Sequence, residues 1–163
     1  MRKSFLSIGS NIEPERHIPE ALRDLEALFG ALEISSVYES EAEGFKGPLF
    51  HNMVVAFHSE LPAETIAEQL RLIEERHGRT RESQKFSSRT LDIDLVLWGD
   101  ETIRSDRLRI PRPEIIKYAF VLQPLAEIAP DLRHPEIQKT YQALWAEFDQ
   151  SQIRQRKIET PDR

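Results

Sequence analysis

The run Leu91 to Trp98, LDIDLVLW, leaves the backbone little choice. Side chains alternate across a strand, so Asp92 and Asp94 project from one face while Ile93, Leu95 and Leu97 are expected on the other. Two carboxylates side by side repel each other, which costs stability unless something positive lies between them. Positive charge is at hand: the stretch from Arg76 to Arg89 holds five basic residues, Arg76, Arg79, Arg81, Lys85 and Arg89. Acid clustered for a hard cation, beside base clustered for an anion, is what metal-assisted phosphoryl chemistry requires. The plainer reading is a solvated sheet face, where strand carboxylates usually belong.

The segments before this strand set its context. Phe5 to Ile8 reads as a first strand, ended by Gly9-Ser10-Asn11. Ile18, Ala21, Leu22, Leu25, Leu28 and Phe29 follow at helical spacing, with Gly30 placed as the stop. Leu32 to Tyr38 alternates as a second strand, and Phe50 to Phe57 reads as a third, with Phe50, Asn52, Val54 and Ala56 on one face. Pro62 opens a second helix striped by Ile66, Leu70 and Ile73 and closed by Gly78. The order βαββαβ predicts an α+β, ferredoxin-like antiparallel sheet covered by helices. Further on, Ile115–Leu125 and Thr140–Phe148 are expected as short helices. Residues 1–150 are read as a single domain, with a C-terminal extension ending in a polar, frayed tail over 151–163.

Composition closes several routes. A chain of 163 residues is long enough to bury a core, and 39% hydrophobic with 31% charged residues reads as globular. There is no cysteine, so thiolate zinc sites and thiol nucleophiles are excluded. The five histidines, His17, His51, His58, His77 and His134, show no ligand spacing, which predicts no zinc site. The apolar run at the N-terminus is too short for a signal peptide and no segment approaches a membrane span, so a cytoplasmic protein is expected. A net charge of −6 argues against a general nucleic-acid partner.

Neither G-x-x-x-x-G-K-[ST] nor G-x-G-x-x-G occurs, so a bound triphosphate would have to be held by side-chain cations and metal. Arg79, Arg81, Lys85 and Arg89 precede the acidic strand and Arg107, Arg109 and Arg112 follow it; guanidinium forks match phosphate oxygens. Taken singly, each of these is an ordinary solvated charge. Phe50 and Asn52, an aromatic and an amide on one strand face, suit a flat heterocycle, although a core Phe and a strand-end Asn are the plainer explanation and the favoured one from these residues alone.

The segments Ser7–Asn11, Tyr38–Asn52, Gly78–Arg81, Arg89–Asp94, Arg107–Pro111 and Phe120–Pro130 occur in an order and spacing that resembles the 6-hydroxymethyl-7,8-dihydropterin pyrophosphokinase family, over about residues 4–135. That resemblance implies transfer of the β,γ-diphosphate of ATP to the pterin hydroxymethyl group, releasing AMP, in folate biosynthesis. Asp92 and Asp94 match the carboxylates that hold two Mg2+ ions, and Arg79 and Arg89 match phosphate-contacting arginines. Phe50 and Phe120 match the aromatic pair around the pterin, Asn52 its amide partner, and Gly44 falls in the pterin loop. Glu74, Arg81, Lys85, Leu95, Arg107, Arg109 and Arg112 fall at nucleotide positions, Arg81, Lys85 and Phe86 within a loop that closes over the site. The chain departs from the family at Ser87-Ser88, where Gly-Pro is usual, at Arg112-Pro113, at Tyr118 in place of an Arg, and at Glu41-Ala42-Glu43 in place of a Pro-rich loop. A D-x-D strand also serves other metal-dependent phosphoryl or nucleotidyl transferases, or a ligand-binding relative without turnover. The product released from ATP separates these readings.

Overall fold

The computed structural model describes residues 1–41, 48–78 and 90–158. The Asp-x-Asp strand, β5 (Asp92–Trp98), lies at one edge of the main sheet. Before it come β1 (Arg2–Ser10), α1 (Pro14–Phe29), β2 (Glu33–Ile34), β3 (Val37–Ser40), β4 (Phe50–Ser59) and α2 (Ala63–Arg76). After it come a small hairpin of β6 (Ile103–Arg104) and β7 (Arg109–Ile110), then α3 (Glu114–Lys117), α4 (Ala119–Ile128), α5 (Tyr141–Glu147), a 3-10 turn (Gln150–Gln152) and β8 (Gln155–Ile158). The sheet runs β5-β1-β4-β3-β8, with every paired neighbour antiparallel, and β2 pairs β4 beside β3. Its first four strands have the ferredoxin-like order that the βαββαβ pattern predicts.

Both faces of the sheet are covered, and the period of two decides what goes where. Leu6, Ile8, Met53, Val55, Phe57, Ile93 and Leu95 pack beneath α1 and α2, against Ile18, Leu22, Leu25, Ile66, Leu70 and Ile73. Phe5, Val54, Ala56, Val96 and Leu97 form a second core with Val121, Leu122, Leu125 and Tyr141 from α4 and α5. Helix α1 stops at Gly30, whose φ of 84° is open to glycine and whose N–H reaches Glu26 O.

Four expectations need correction. Leu97 does not share a face with Ile93 and Leu95, because the β1–β5 register shifts between Phe5 and Leu6. Val96 is the extra residue of this bulge, so Val96 and Leu97 both enter the second core. The second strand is not continuous: it breaks at Ser35-Ser36, where Ser35 N–H donates to Val54 O and Val54 N–H donates to Ser35 Oγ, both at 2.9 Å. The hydroxyl takes the place of a ladder carbonyl. The helix expected over Ile115–Leu125 is two helices, divided by the extended backbone of Tyr118. The expected frayed tail contains β8, which pairs with β3 from Val37↔Ile158 to Ser40↔Gln155 and so joins the sheet. A polar edge strand leaves little signal in sequence, since its side chains meet water and its stability comes from backbone pairing. Among the described residues no helix is long and apolar enough to cross a membrane.

Helix α4 is fastened to the sheet at its C-terminal end. Glu127 accepts from Tyr38 Oη at 2.6 Å and from Ser36 N–H and Oγ at 3.0 and 2.9 Å. Burial by itself raises the Glu127 carboxyl, but the bonds from Tyr38 and Ser36 prevail and hold it below the ordinary glutamate value. A lowered carboxyl stabilises the fold above its unfolded value of 4.5, and that contribution is lost as pH falls through the folded value. Tyr38→Phe should therefore cost about 1 kcal/mol at pH 7, discounted for the exposure of Glu127. In urea unfolding the gap to the unsubstituted protein should close on acidification below pH 4.5; a gap constant with pH would refute the coupling.

Candidate functional site

The acidic strand meets its neighbours in a register that lines up a lateral row of residues. Asn52 of β4 pairs with Gly9 of β1, and Gly9 pairs in turn with Asp92 of β5. One step along, Val54, Ser7 and Asp94 form the next row. Neighbouring strands lie about 4.8 Å apart, so Asn52 and Asp92 stand about 10 Å from one another across a strand whose central residue has no side chain. A Cβ on Gly9 would lie 2.7 Å from Asn52 Oδ1, so the amide lies directly over this glycine. The opposite end of that amide, Nδ2, donates to Ser40 Oγ at 3.2 Å. Asn52 is thus buried and held by β3, above a floor that only glycine provides.

Asp92 is half-buried and Asp94 exposed, both on the sheet face that also carries Asn52. Behind them, the buried Glu74 of α2 accepts from Ile93 N–H at 2.8 Å. β5 is an edge strand, and this carboxylate satisfies one of its backbone donors. The loop after β1 is tied to the start of β4 by Asn11 Nδ2, which donates to Pro48 O at 3.2 Å.

The aromatic wall stands at the β3 side. Phe50, half-buried, pairs with Ser40. Phe120, the second residue of α4, shares a cleft with Ser40, Glu41, Tyr118, Arg154 and Gln155. Its ring stacks on that of Tyr118, with centroids 4.9 Å apart and planes 15° from parallel. The N-terminal turn of α4 is held by β8: Gln155 Nε2 donates to Ala119 O at 3.0 Å and to Gln123 Oε1 at 2.7 Å. The segment read from sequence as a tail therefore positions Phe120. Ser40, Tyr118 and Gln155 had no place among the expected substrate contacts. A polar strand residue gives no sequence signal of the helix it supports.

The remaining expected residues distribute as follows. Leu95 is buried beneath α1 and α2, on the face opposite Asp94, so its side chain cannot meet a ligand held by Asp92 and Asp94. Glu74 is directed at the β5 backbone, as above. Arg107 and Arg109 are exposed on the β6–β7 hairpin. Arg112 N–H donates to Val96 O at the bulge, and its guanidinium pairs with Glu114 at 2.6 Å. Arg112 Nε and Glu114 Oε1 are buried with no hydrogen-bond partner among the described residues. Gly44, Arg79, Arg81, Lys85, Phe86, Ser87, Ser88 and Arg89 lie outside the described residues.

Residues 5–130 match the family model described as 7,8-dihydro-6-hydroxymethylpterin-pyrophosphokinase. A 2-amino-4-hydroxy-6-hydroxymethyldihydropteridine pyrophosphokinase from Aquifex aeolicus is 35% identical over 141 residues, covering 85% of this chain and 88% of its own. The protein of the same name from Synechocystis is 37% identical over 150 residues, covering 90% and 76%. Among solved structures, Plasmodium falciparum HPPK-DHPS superposes with a TM-score of 0.73 at 13% identity, covering 90% of this chain. This chain spans 43% of the Plasmodium chain, and the likeness at that identity concerns the fold.

Gly9→Ala tests the row directly. The new methyl must displace the Asn52 amide and break its bond to Ser40. Because only one side-chain end has to give, unfolding free energy should fall by no more than about 1–2 kcal/mol. The Asn52 side-chain amide resonances should shift; unmoved resonances would contradict the close approach.

Proposed function

This chain belongs to the 7,8-dihydro-6-hydroxymethylpterin-pyrophosphokinase family and transfers pyrophosphate from ATP to 6-hydroxymethyl-7,8-dihydropterin in folate biosynthesis; we propose that it does so on the sheet face marked by Asn52, Gly9 and Asp92. The observation that carries this reading is the lateral row itself. It sets an amide, seated over a glycine, at one end and a carboxylate pair at the other end.

In this reading the pterin ring lies beside the Asn52 amide, which the missing Cβ of Gly9 lets settle against β1, with its edge on that amide. A flat ring bearing both donors and acceptors is matched by an amide, which offers one of each and is held in place by Ser40. Phe50 and Phe120 supply the apolar faces between which such a ring stacks. The hydroxymethyl group then points along the row toward β5.

Asp92 and Asp94 offer only carboxylate oxygens, two residues apart on one strand face and open to water. That donor set fits a hard cation that keeps some of its own water, and suits Mg2+ better than a soft metal. Two Mg2+ ions bound there would neutralise charge on the phosphate oxygens and polarise the β-phosphorus toward attack. The chain's own part is positional: Glu74 fixes the β5 backbone between the two aspartates, and the bulge at Val96 anchors Arg112 beside the strand. Arg112, whose buried Nε has no partner among the described residues, Arg107 and Arg109 are assigned to the nucleotide. Arg79 and Arg89 are assigned to the transferred phosphates, and Arg81 and Lys85 to the nucleotide, on their match to the family pattern. With reactants fixed at both ends of one row, much of the barrier is met by orientation.

Two measurements test the assignment. Mg·ATP with 6-hydroxymethyl-7,8-dihydropterin should give AMP and the pterin diphosphate; release of ADP or pyrophosphate would replace this reading with ordinary kinase or nucleotidyl transfer. Asp92→Asn and Asp94→Asn should each lower kcat by about 10³-fold or more, with the unfolding midpoint within a few degrees of the parent. Near-parental turnover at limiting Mg2+ would remove both from the site. Separately, Phe120→Ala should weaken pterin binding by about ten-fold through loss of one stacking face, leaving ATP binding close to the parental value. An unchanged pterin Kd would move the ring elsewhere.

A further inference from the structure

His17 and His77 are 60 positions apart in sequence yet meet beneath the opposite face of the sheet. His17 lies in the first turns of α1, and His77 is the residue at which α2 ends. Both rings are buried, at 4% and 9% exposure, and their Nδ1 atoms are 2.6 Å apart. Sequence spacing could not reveal this pair, because each histidine stands alone on its own helix.

The hydrogen bonds fix where the protons are. Arg16 Nη2 lies 3.1 Å from His17 Nε2, and a guanidinium can only donate, so Nε2 presents a lone pair. His17 in its neutral form therefore carries its proton on Nδ1 and donates it to His77 Nδ1. The proton of His77 is left on Nε2, which faces Asp24 Oδ2 at 3.6 Å. A single proton thus occupies the point on which two imidazole nitrogens converge. Glu20, one turn along α1 from His17, brings a carboxylate: one ligand atom from each of His17, Glu20 and His77 lies within 4.8 Å of the others.

We propose that His17, Glu20 and His77 form a binding site for a borderline divalent transition-metal ion of the Zn2+ or Co2+ class. Two imidazoles and one carboxylate make up a donor set that such ions prefer and that Mg2+, which favours oxygen, does not. Asp24 stands behind His77 as the outer carboxylate that commonly orients a ligating imidazole. Binding needs two local changes. The proton between the rings moves to His17 Nε2, so His17 stays neutral, and Arg16, 59% exposed, releases both His17 Nε2 and its 3.8 Å ion pair with Glu20 and turns out to water. The two nitrogens part from 2.6 Å to about 3.3 Å, the spacing of tetrahedral ligands each about 2.0 Å from zinc. Three protein ligands leave a fourth position for water. The bound ion would join the start of α1 to the end of α2, next to Gly78.

The test uses the full chain in the Asp92→Asn/Asp94→Asn background without ATP or pterin, so it stands whether or not the reading of the other face holds. Metal-free protein titrated with Co2+ should take up one ion per chain, develop the intense visible ligand-field bands of a four-coordinate nitrogen–oxygen site, and lose them to Zn2+ but not to a hundred-fold excess of Mg2+. His17→Gln should abolish the bands. Glu20→Gln, at a half-buried helix position, should weaken Co2+ at least ten-fold while leaving the metal-free Tm unchanged, so that loss of binding is separable from loss of fold. Zn2+ should raise the Tm of the parent and not that of either variant. Absence of the bands at saturating Co2+, or Co2+ affinity unaltered by Glu20→Gln, would overturn the site and leave a buried histidine pair sharing a proton.

Discussion

The register of β1 against its two neighbours governs everything else in this molecule. β1 pairs with β4 without interruption from Arg2↔Ser59 to Ser10↔His51, and with β5 across a single bulge. A slip by one residue would exchange the faces of the sheet. Leu6 and Ile8 would turn away from α1 and α2, and Gly9 would leave the floor between Asn52 and Asp92. Burial on both sides of β1 holds the register: Phe5 and Leu6 are buried in different cores, so neither face tolerates the other's pattern. The alignment of Asn52, Gly9 and Asp92 is in this sense a by-product of hydrophobic sorting, carried outward from the packed half of each strand to its open end.

Much of this was legible along the chain wherever the controlling interactions are local. The alternation in Phe50–Phe57, the Gly30 stop and the Pro62 start each act within a few residues, and each element formed near its expected place. The shared face of Asp92 and Asp94 followed from pleating alone. What could not be read depends on contacts between distant segments. The bulge at Val96 arises because β5 must also supply the second core, and the break at Ser35 because a hydroxyl can replace a carbonyl in the β4 ladder. Tyr118 divides the run Ile115–Leu125 with neither Gly nor Pro at the break, while Pro124 is carried inside α4. His17 and His77 looked unrelated because their proximity is created by the packing of α1 and α2 on one face.

The two faces of the sheet divide the chemistry between them. One presents oxygen donors, an amide and aromatic rings at an open end, suited to hard cations and flat polar ligands. The other buries imidazoles between helices, where softer coordination is favoured. Glu74 lies at the boundary, because it belongs to a helix of the second face and bonds to the strand that carries Asp92 and Asp94. The C-terminal end of α2 is thus joined mechanically to both.

The pairing of β8 with β3 has a consequence in time. β8 is the last described element to be synthesised, yet Gln155 holds the turn of α4 that carries Phe120. While the chain is still being made, the carboxylate strand and the glycine floor can assemble, but the helix bearing the aromatic wall lacks its brace. Contacts of such long sequence separation form slowly, because a large loop must close first. A nascent chain should therefore order the end of the sheet that carries Asp92 and Asp94 before the turn of α4 that carries Phe120, and a chain cut short of Gln155 would keep the strands β5-β1-β4-β3 while that turn lacks its brace.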